Sequence, residues 1–187
     1  MKQLLARPFL RVLLLALLVP PAFSATANAA PPPPMFASGR PIFDPVKFFT
    51  GHTRSWGVFE NGRGEPTEVI TTETRGRMVG GELHMEQDLW IGGKPRQHRS
   101  WKVRRLDARH FAGTANDVVG TVHGEVTGNA FFWTFTLATK PGQPLFNVQM
   151  TQHMYLQPDG RTMINRDTVR KFGVVVAGVT EEFRRLD

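Results

Sequence analysis

An aromatic hairpin between Gly113 and Leu137 limits the folds open to this chain more than any other stretch. In residues 130–138, large apolar and small polar side chains alternate, with one interruption at Phe132. A period of two predicts a strand that is buried on one face. That face would carry Phe131, Trp133, Phe135 and Leu137. A hairpin with so much aromatic surface needs further strands to cover it.

The rest of the chain supplies such strands, separated by turns rich in Gly, Pro, Asn and Asp. Asp44-Pro45, followed by Phe48 and Phe49, predicts one short helix ahead of them. Apolar alternation predicts further strands at 53–60, 67–77, 82–91, 97–106, 110–115, 146–156, 161–170 and 173–183. The pattern indicates an all-β fold, an antiparallel lipocalin-like (calycin-type) barrel of roughly 8–10 strands with a short N-terminal helix.

The first residues have the pattern of a secretory signal peptide. Basic Lys2, Arg7 and Arg11 precede a short apolar run and a small-residue cleavage site at Ala29-Ala30. The apolar run is much shorter than the roughly 20 residues that a membrane-spanning helix needs. We therefore predict three segments: a signal peptide at 1–29, a Pro-rich linker at 30–41, either polyproline II or disordered, and one barrel domain at 42–187.

Export would place the mature protein in the periplasm or outside the cell. Cleavage removes three basic residues and no acidic ones, which lowers the formal net charge from +7 to +4. This charge argues against a nucleic-acid partner and allows at most peripheral contact with an anionic membrane. The chain has no cysteine, which excludes disulfides, thiolate chemistry and a lipid-anchoring cysteine. We expect a monomer without a cofactor.

Two carboxylates and an arginine form the first candidate constellation. Glu86 and Asp88 share one face of the predicted strand 82–91, and Arg99 lies on the next strand. If these strands pair, Asp88 and Arg99 can meet as an ion pair. The same three groups could instead serve as acid–base catalysts. We favour the ion pair.

A metal site is a weaker alternative for the same strand face. His84 and Glu86 lie two residues apart, and pairing could bring His98 near them. The chain has no HxH or HExxH spacing among its six histidines. We therefore predict no metal site.

Asn165 and Arg166 are adjacent in the predicted strand 161–170, so at least one of them should point inward. A buried arginine needs a partner. That partner is either a carboxylate of the chain, Asp117 or Asp88, or the carboxylate of a bound acid. The full candidate ligand-binding set is Asp88, Arg99, Trp101, Asp117, Trp133, Tyr155, Asn165 and Arg166.

The hairpin also carries a family likeness. Its pattern Gly113-Thr114-Ala115-x-Asp117-Val118-Val119-Gly120, followed by Gly128-Asn129-Ala130-x-x-Trp133, resembles the uncharacterised bacterial domain-of-unknown-function family 3833. Members of that family are lipocalin-like envelope proteins, often lipoproteins. Further matches are Phe43-Asp44, Trp56-Gly57, Arg99-x-Trp101, Met154-Tyr155-Leu156, Asn165-Arg166 and Lys171-Phe172-Gly173. The resemblance covers nearly all of residues 42–185 and implies a compact envelope barrel without implying a reaction.

Three functions remain open from the sequence. The leading hypothesis is a non-enzymatic binder of a small hydrophobic or lipid-derived ligand, such as a fatty acid, held inside the barrel. The second is an enzyme acting on a lipid-like substrate with Glu86, Asp88 and Arg99. The third is a structural module of the envelope whose barrel is filled by side chains.

Overall fold

The computed structural model describes residues 33–187. The predicted signal peptide and the start of the predicted linker lie outside the described residues. Within them, ten antiparallel strands form one closed barrel. The strands are β1 (Gly51–Asn61), β2 (Pro66–Val79), β3 (Glu82–Ile91), β4 (Gln97–Arg105), β5 (His110–Ala115), β6 (Val122–Thr127), β7 (Ala130–Leu137), β8 (Val148–Leu156), β9 (Thr162–Lys171) and β10 (Val174–Arg185).

Each strand pairs with its neighbours in sequence, and β1 pairs with β10 to close the ring. The predicted all-β lipocalin-like barrel is therefore confirmed. Because consecutive strands run in opposite directions, the nine connections divide between two ends of the barrel. We call the end that carries the β1–β2, β3–β4, β5–β6, β7–β8 and β9–β10 connections the open end, and the other the closed end.

A short helix, α1 (Pro45–Phe49), lies across the closed end. The side chain of Asp44 accepts a hydrogen bond of 3.1 Å from the backbone N–H of Lys47, which caps the helix as predicted. Phe48 and Phe49 are buried in the barrel core. No helix within residues 33–187 is long and apolar enough to cross a membrane.

The described part of the predicted linker packs on the outside of the barrel. Residues 34–36 form a 3-10 turn, which differs from both predicted states, polyproline II and disorder. The ring of Phe36 lies 4.9 Å from that of Tyr155 and 6.4 Å from that of Phe132. These contacts bury apolar surface, and they explain why Phe132, which interrupts the alternation of its strand, is buried on the outer face.

The inward side of β4–β7 is a cluster of aromatic rings, which we call the aromatic wall. Trp101 and Trp133 stack with centroids 4.8 Å apart, and Phe131 packs edge-on against Trp133 at 5.1 Å. Gly124 faces the Phe131 ring, and a Cβ at that position would overlap it. Glycine on one strand thus makes room for a ring on the next. The wall comprises Trp101, Phe111, Phe131, Trp133 and Phe135.

Candidate ligand-binding cavity

The barrel encloses a cavity of about 420 Å³. Near the closed end its lining includes Phe49, Leu83 and Phe183, all of which are buried. Near the open end its lining includes Lys94 and Thr139, which are exposed. The cavity therefore reaches solvent through the open end, while α1 and the aromatic core close the other.

One side of the cavity is apolar and aromatic, and the facing side carries polar groups. We call the second side the polar wall. Its lining residues lie on β2, β8, β9 and β10, namely Thr72, Gln152, Asn165, Asp167 and Glu181. Ser55 of β1 supports this wall through its hydrogen bond to Glu181. Such a set of buried polar groups in an apolar cavity is the usual composition of a ligand site.

Glu181 is the carboxyl group of the polar wall on β10, and it is 5% exposed. Its Oε1 accepts hydrogen bonds from Ser55 Oγ at 2.6 Å and from Thr72 Oγ1 at 3.1 Å. Burial raises the pKa of Glu181, although both hydroxyl donors act in the opposite direction. The group therefore holds its proton at a higher pH than an exposed glutamate does.

Asp167 on β9 is the second buried carboxyl group of this wall. Its Oδ2 accepts a hydrogen bond of 2.9 Å from Gln152 Nε2, and Gln152 Oε1 accepts one of 2.6 Å from Trp133 Nε1. The chain of bonds ties the polar wall to the aromatic wall. Burial, aided by the nearby charge of Glu181, raises the pKa of Asp167 to about 7, against the opposing hydrogen bond from Gln152 and the charge of Arg99.

Two buried oxygen atoms of the polar wall have no hydrogen-bond partner among the described residues. They are Oδ1 of Asn165 and Oδ1 of Asp167, and both residues line the cavity. A buried polar atom without a partner costs roughly 1–3 kcal/mol. Both oxygens are themselves almost fully covered, so a bound molecule would have to shift the surrounding side chains to donate a hydrogen bond to them.

Arg99 lines the cavity and is paired within the barrel. Its Nε lies 2.9 and 2.8 Å from the two carboxylate oxygens of Asp117. The predicted ion pair between Arg99 and Asp88 is wrong. In the β3–β4 register Arg99 stands opposite Gln87, and Asp88 stands opposite His98. Asp88 and Arg99 therefore lie on opposite faces of the sheet, because side chains alternate along a strand.

The carboxylates of the predicted catalytic trio lie on the outer surface. Glu86 Oε2 is 2.9 Å from His98 Nε2, and Asp88 Oδ1 is 2.8 Å from His98 Nδ1. Hydrogen bonding to Asp88 raises the pKa of this exposed histidine, with Glu86 contributing. Arg99 points inward, so the three groups do not meet at one site. Within residues 33–187, no group of three or more His, Asp or Glu side chains is placed so that it could hold a metal ion.

The candidate ligand-binding residues divide between the two faces of the barrel. Arg99, Trp101, Trp133 and Asn165 line the cavity, and Asp117 holds Arg99. Tyr155 lies outside against Phe36. Arg166 stands between His153 and Thr180 on the outer face, because Asn165 takes the inward position. Its predicted pairing with Asp117 or Asp88 is wrong, since Asp117 pairs with Arg99 and Asp88 pairs with Arg96 and His98.

Sequence reasoning missed both buried carboxyl groups, although the chain contains a signal for each. Asp167 shares its strand face with Met163 and Val169, both buried. Glu181 shares its face with Val179 and Phe183, also buried. An acidic residue between apolar neighbours on an inward face, as Glu181 is, is unusual enough to mark a functional site. The signal for Asp167 is weaker, because the polar Asn165 precedes it on the same face.

Comparisons with known proteins agree with this architecture. A family model described as "Protein of unknown function (DUF3833)" matches residues 23–185. No curated protein matches the chain. Among solved structures, the S-type phycobiliprotein lyase CPES from Guillardia theta is similar in fold, with a TM-score of 0.55 and 7% sequence identity. The match covers 76% of this chain and 90% of the lyase.

Proposed function

The chain belongs to the DUF3833 family of proteins of unknown function, and we propose that it binds a small, largely apolar ligand inside its barrel. The apolar part of the ligand would lie against the aromatic wall. A hydrogen-bond donor of the ligand, neutral or cationic, would face the polar wall. The fold shared with a phycobiliprotein lyase supports a barrel with room for a ligand.

The observation that carries this proposal is the pair of unpartnered oxygens on Asn165 and Asp167. Both belong to a cavity wall in which Glu181 Oε1 and Gln152 Oε1 already accept hydrogen bonds. Buried polar groups are nearly always hydrogen-bonded in native proteins. A ligand donor that reaches either oxygen, after the side chains that cover it shift, would supply the missing hydrogen bond.

The charges of the cavity favour a neutral or cationic group over the carboxylate of a fatty acid. The two basic residues of the lining, Arg99 and Lys94, are paired with Asp117 and Glu68. The ionisable groups of the polar wall are the acids Asp167 and Glu181. A ligand carboxylate would meet like charge when either acid is ionised. Amines, alcohols and heteroaromatic N–H groups fit better.

The same geometry argues against the other two functions. A cavity of about 420 Å³ is at odds with a barrel filled by side chains, since packed interiors leave few voids larger than a water molecule. The outward carboxylates Glu86 and Asp88 cannot act on a substrate held beside Arg99.

Export to the periplasm or outside the cell is part of the proposal. Its support is the arrangement of basic, apolar and small residues before Ala30. N-terminal sequencing of the protein recovered from the periplasmic fraction should begin near Ala30. Recovery of the uncleaved chain from the cytoplasm would contradict the exported location and leave the ligand proposal untouched.

Ligand binding can be tested with two fluorescent probes that differ in their polar group. We expect the neutral amine N-phenyl-1-naphthylamine to bind more tightly than the carboxylate cis-parinaric acid. The substitution Met150→Trp fills the cavity, because Met150 lines it, and should weaken amine binding by about tenfold or more, which is about 1.4 kcal/mol.

A matched control is Ile164→Trp, which adds the same ring at an exposed outward position. It should bind the amine as the wild type does. Equal binding by Met150→Trp and the wild type would place the probe outside the barrel and contradict the proposal. A preference for the carboxylate would overturn the assignment of the polar group.

A further inference from the structure

The open end carries a cluster of exposed apolar side chains, which we call the mouth patch. Leu145, in the β7–β8 loop, is 76% exposed, and Phe172, in the β9–β10 turn, is 83% exposed. The patch comprises Leu145, Phe146, Phe172, Val174, Val175 and Val176. Of these, Val176 also lines the cavity, so the patch adjoins the cavity entrance.

The two segments of the mouth patch are contiguous. Strand β8 pairs with β7 on one side and with β9 on the other, so the β7–β8 loop and the β9–β10 turn are neighbours. The Nζ atom of Lys171 lies 5.3 Å from the centre of the Phe146 ring, and that of Lys140 lies 4.0 Å from it. Cations from both segments thus meet on one ring.

The charge of the mouth patch has one sign. Residues 138–147 and 170–176 contain Lys140, Arg170 and Lys171 and no acidic residue. Exposed apolar side chains interleaved with lysine and arginine are the composition of surfaces that bind anionic lipid bilayers.

Phe172 occupies a turn position whose left-handed backbone conformation disfavours a bulky side chain. Its φ is +51°, and that of Gly173 is +82°, so the two form a tight turn with left-handed conformation at both positions. Asn followed by Gly suits such a turn best, and a bulky side chain is disfavoured. Phe172 gains neither favourable backbone geometry nor burial, which indicates a role in contact with another surface.

We propose that the mouth patch docks on an anionic phospholipid bilayer. Leu145 and Phe172 would enter the lipid interface, and Lys140, Arg170 and Lys171 would face the headgroups. The inference rests on the proposed function in one respect: docking would bring the cavity entrance against the bilayer, where an apolar ligand is most concentrated.

The closed end supplies an internal comparison. Its exposed apolar residues include Met78 and Val79 at the end of β2 and Leu106 after β4. Met78 has Arg77 before it and Glu82 nearby in sequence, so its surroundings carry both signs of charge. We expect no docking there.

The absence of cysteine from the chain allows a site-specific test in the full protein. Single substitutions Leu145→Cys, Phe172→Cys and Met78→Cys would each be labelled with the polarity-sensitive fluorophore NBD. Vesicles of phosphatidylcholine containing phosphatidylglycerol should shift the emission to the blue at positions 145 and 172 and leave position 78 unchanged. High salt, or Lys140→Gln combined with Lys171→Gln, should weaken the response severalfold.

Two outcomes would overturn docking through the mouth patch. One is water-like emission at positions 145 and 172 with anionic vesicles present, and the other is an equal shift at position 78. Amine-probe binding measured without vesicles keeps the two proposals separate. Probe binding without vesicle docking refutes the inference alone, whereas docking without probe binding refutes the proposed function alone.

Discussion

The two walls of the cavity bury their side chains by different means. The aromatic wall buries ring against ring, as in the stack of Trp101 on Trp133, and each ring gains free energy by leaving water. The polar wall buries groups that would be more stable in water, and it holds Glu181 with two hydroxyl donors. The aromatic wall thus stabilises the barrel. The polar wall destabilises it, and hydrogen bonds from a bound ligand would offset part of that cost.

The largest expected effect is the loss of stability when a side chain of the aromatic wall is truncated. Phe131→Ala should lower the free energy of unfolding by about 3–5 kcal/mol, because Phe131 is 1% exposed and contacts Phe111 and Trp133. Chemical denaturation followed by circular dichroism measures this. Phe172→Ala removes the same ring from an exposed site and should change the value by less than about 0.5 kcal/mol. A similar loss in both variants would contradict the role assigned to the aromatic wall.

The pH dependence of stability should report on the polar wall. The pKa of Asp167 is about 7 in the folded state against an ordinary 3.8. Between these pH values the folded chain keeps a proton that the unfolded chain has lost, so stability falls as pH rises through this window. The slope is at most about 1.4 kcal/mol per pH unit. Glu181, whose pKa burial also raises, acts in the same direction.

Urea denaturation of the wild type and Asp167→Asn at pH 5, 6, 7 and 8 would isolate this contribution. The free energy of unfolding of Asp167→Asn minus that of the wild type should rise with pH up to about 7 and then level off. Burial lowers the pKa of His153, with Arg166 and Arg170 contributing. His153 therefore makes stability rise with pH below pH 6.5. The same contribution is present in both proteins and cancels when one free energy of unfolding is subtracted from the other. The exposed neighbour Glu182, changed to Gln, should follow the wild-type profile. A pH-independent difference for Asp167→Asn would contradict burial of a titrating carboxyl group.

A smaller effect should separate buried from exposed hydroxyl donors. Ser55→Ala removes the 2.6 Å bond to Glu181 and should cost about 1–2 kcal/mol at pH 8. The cost should be lower at pH 5, because Ser55 stabilises the ionised form of Glu181. Ser100→Ala removes a hydroxyl bonded to the exposed Glu86 and should cost less than about 0.5 kcal/mol at either pH. An equal loss of stability in Ser55→Ala and Ser100→Ala would contradict the stronger role assigned to the buried hydroxyl donor.

The smallest expected effect has the opposite sign. Phe172→Asn should raise the free energy of unfolding by about 1 kcal/mol or less, because Asn tolerates the left-handed backbone at this turn. The same change should weaken vesicle docking. Phe146→Asn is the control, since it lies outside the turn and should bring no gain in stability. A destabilised Phe172→Asn variant would show that the ring supports the fold.

Sequence reasoning located the aromatic wall more completely than the polar wall, and the reason is physical. The inward face of β7 differs from its outward face in polarity, so alternation shows which side is buried. On β9 both faces carry polar residues, with Asn165 and Asp167 inward and Arg166 outward. Polarity there cannot tell a buried site from a solvated surface. The pairing of Arg99 with Asp117 was missed because it depends on register between strands, which a single sequence does not reveal.

Closure of the ring between β1 and β10 has a consequence for folding kinetics. Thr53 pairs with Arg185, and Ser55 pairs with Phe183, so the closing contacts span most of the domain. Contacts so distant in sequence form late, because a long loop must be ordered first. Hairpins of the aromatic wall need only local contacts. In pulsed hydrogen exchange we expect amides of β6 and β7 to be protected before those of β1 and β10, so that the ligand site is completed in the last step of folding.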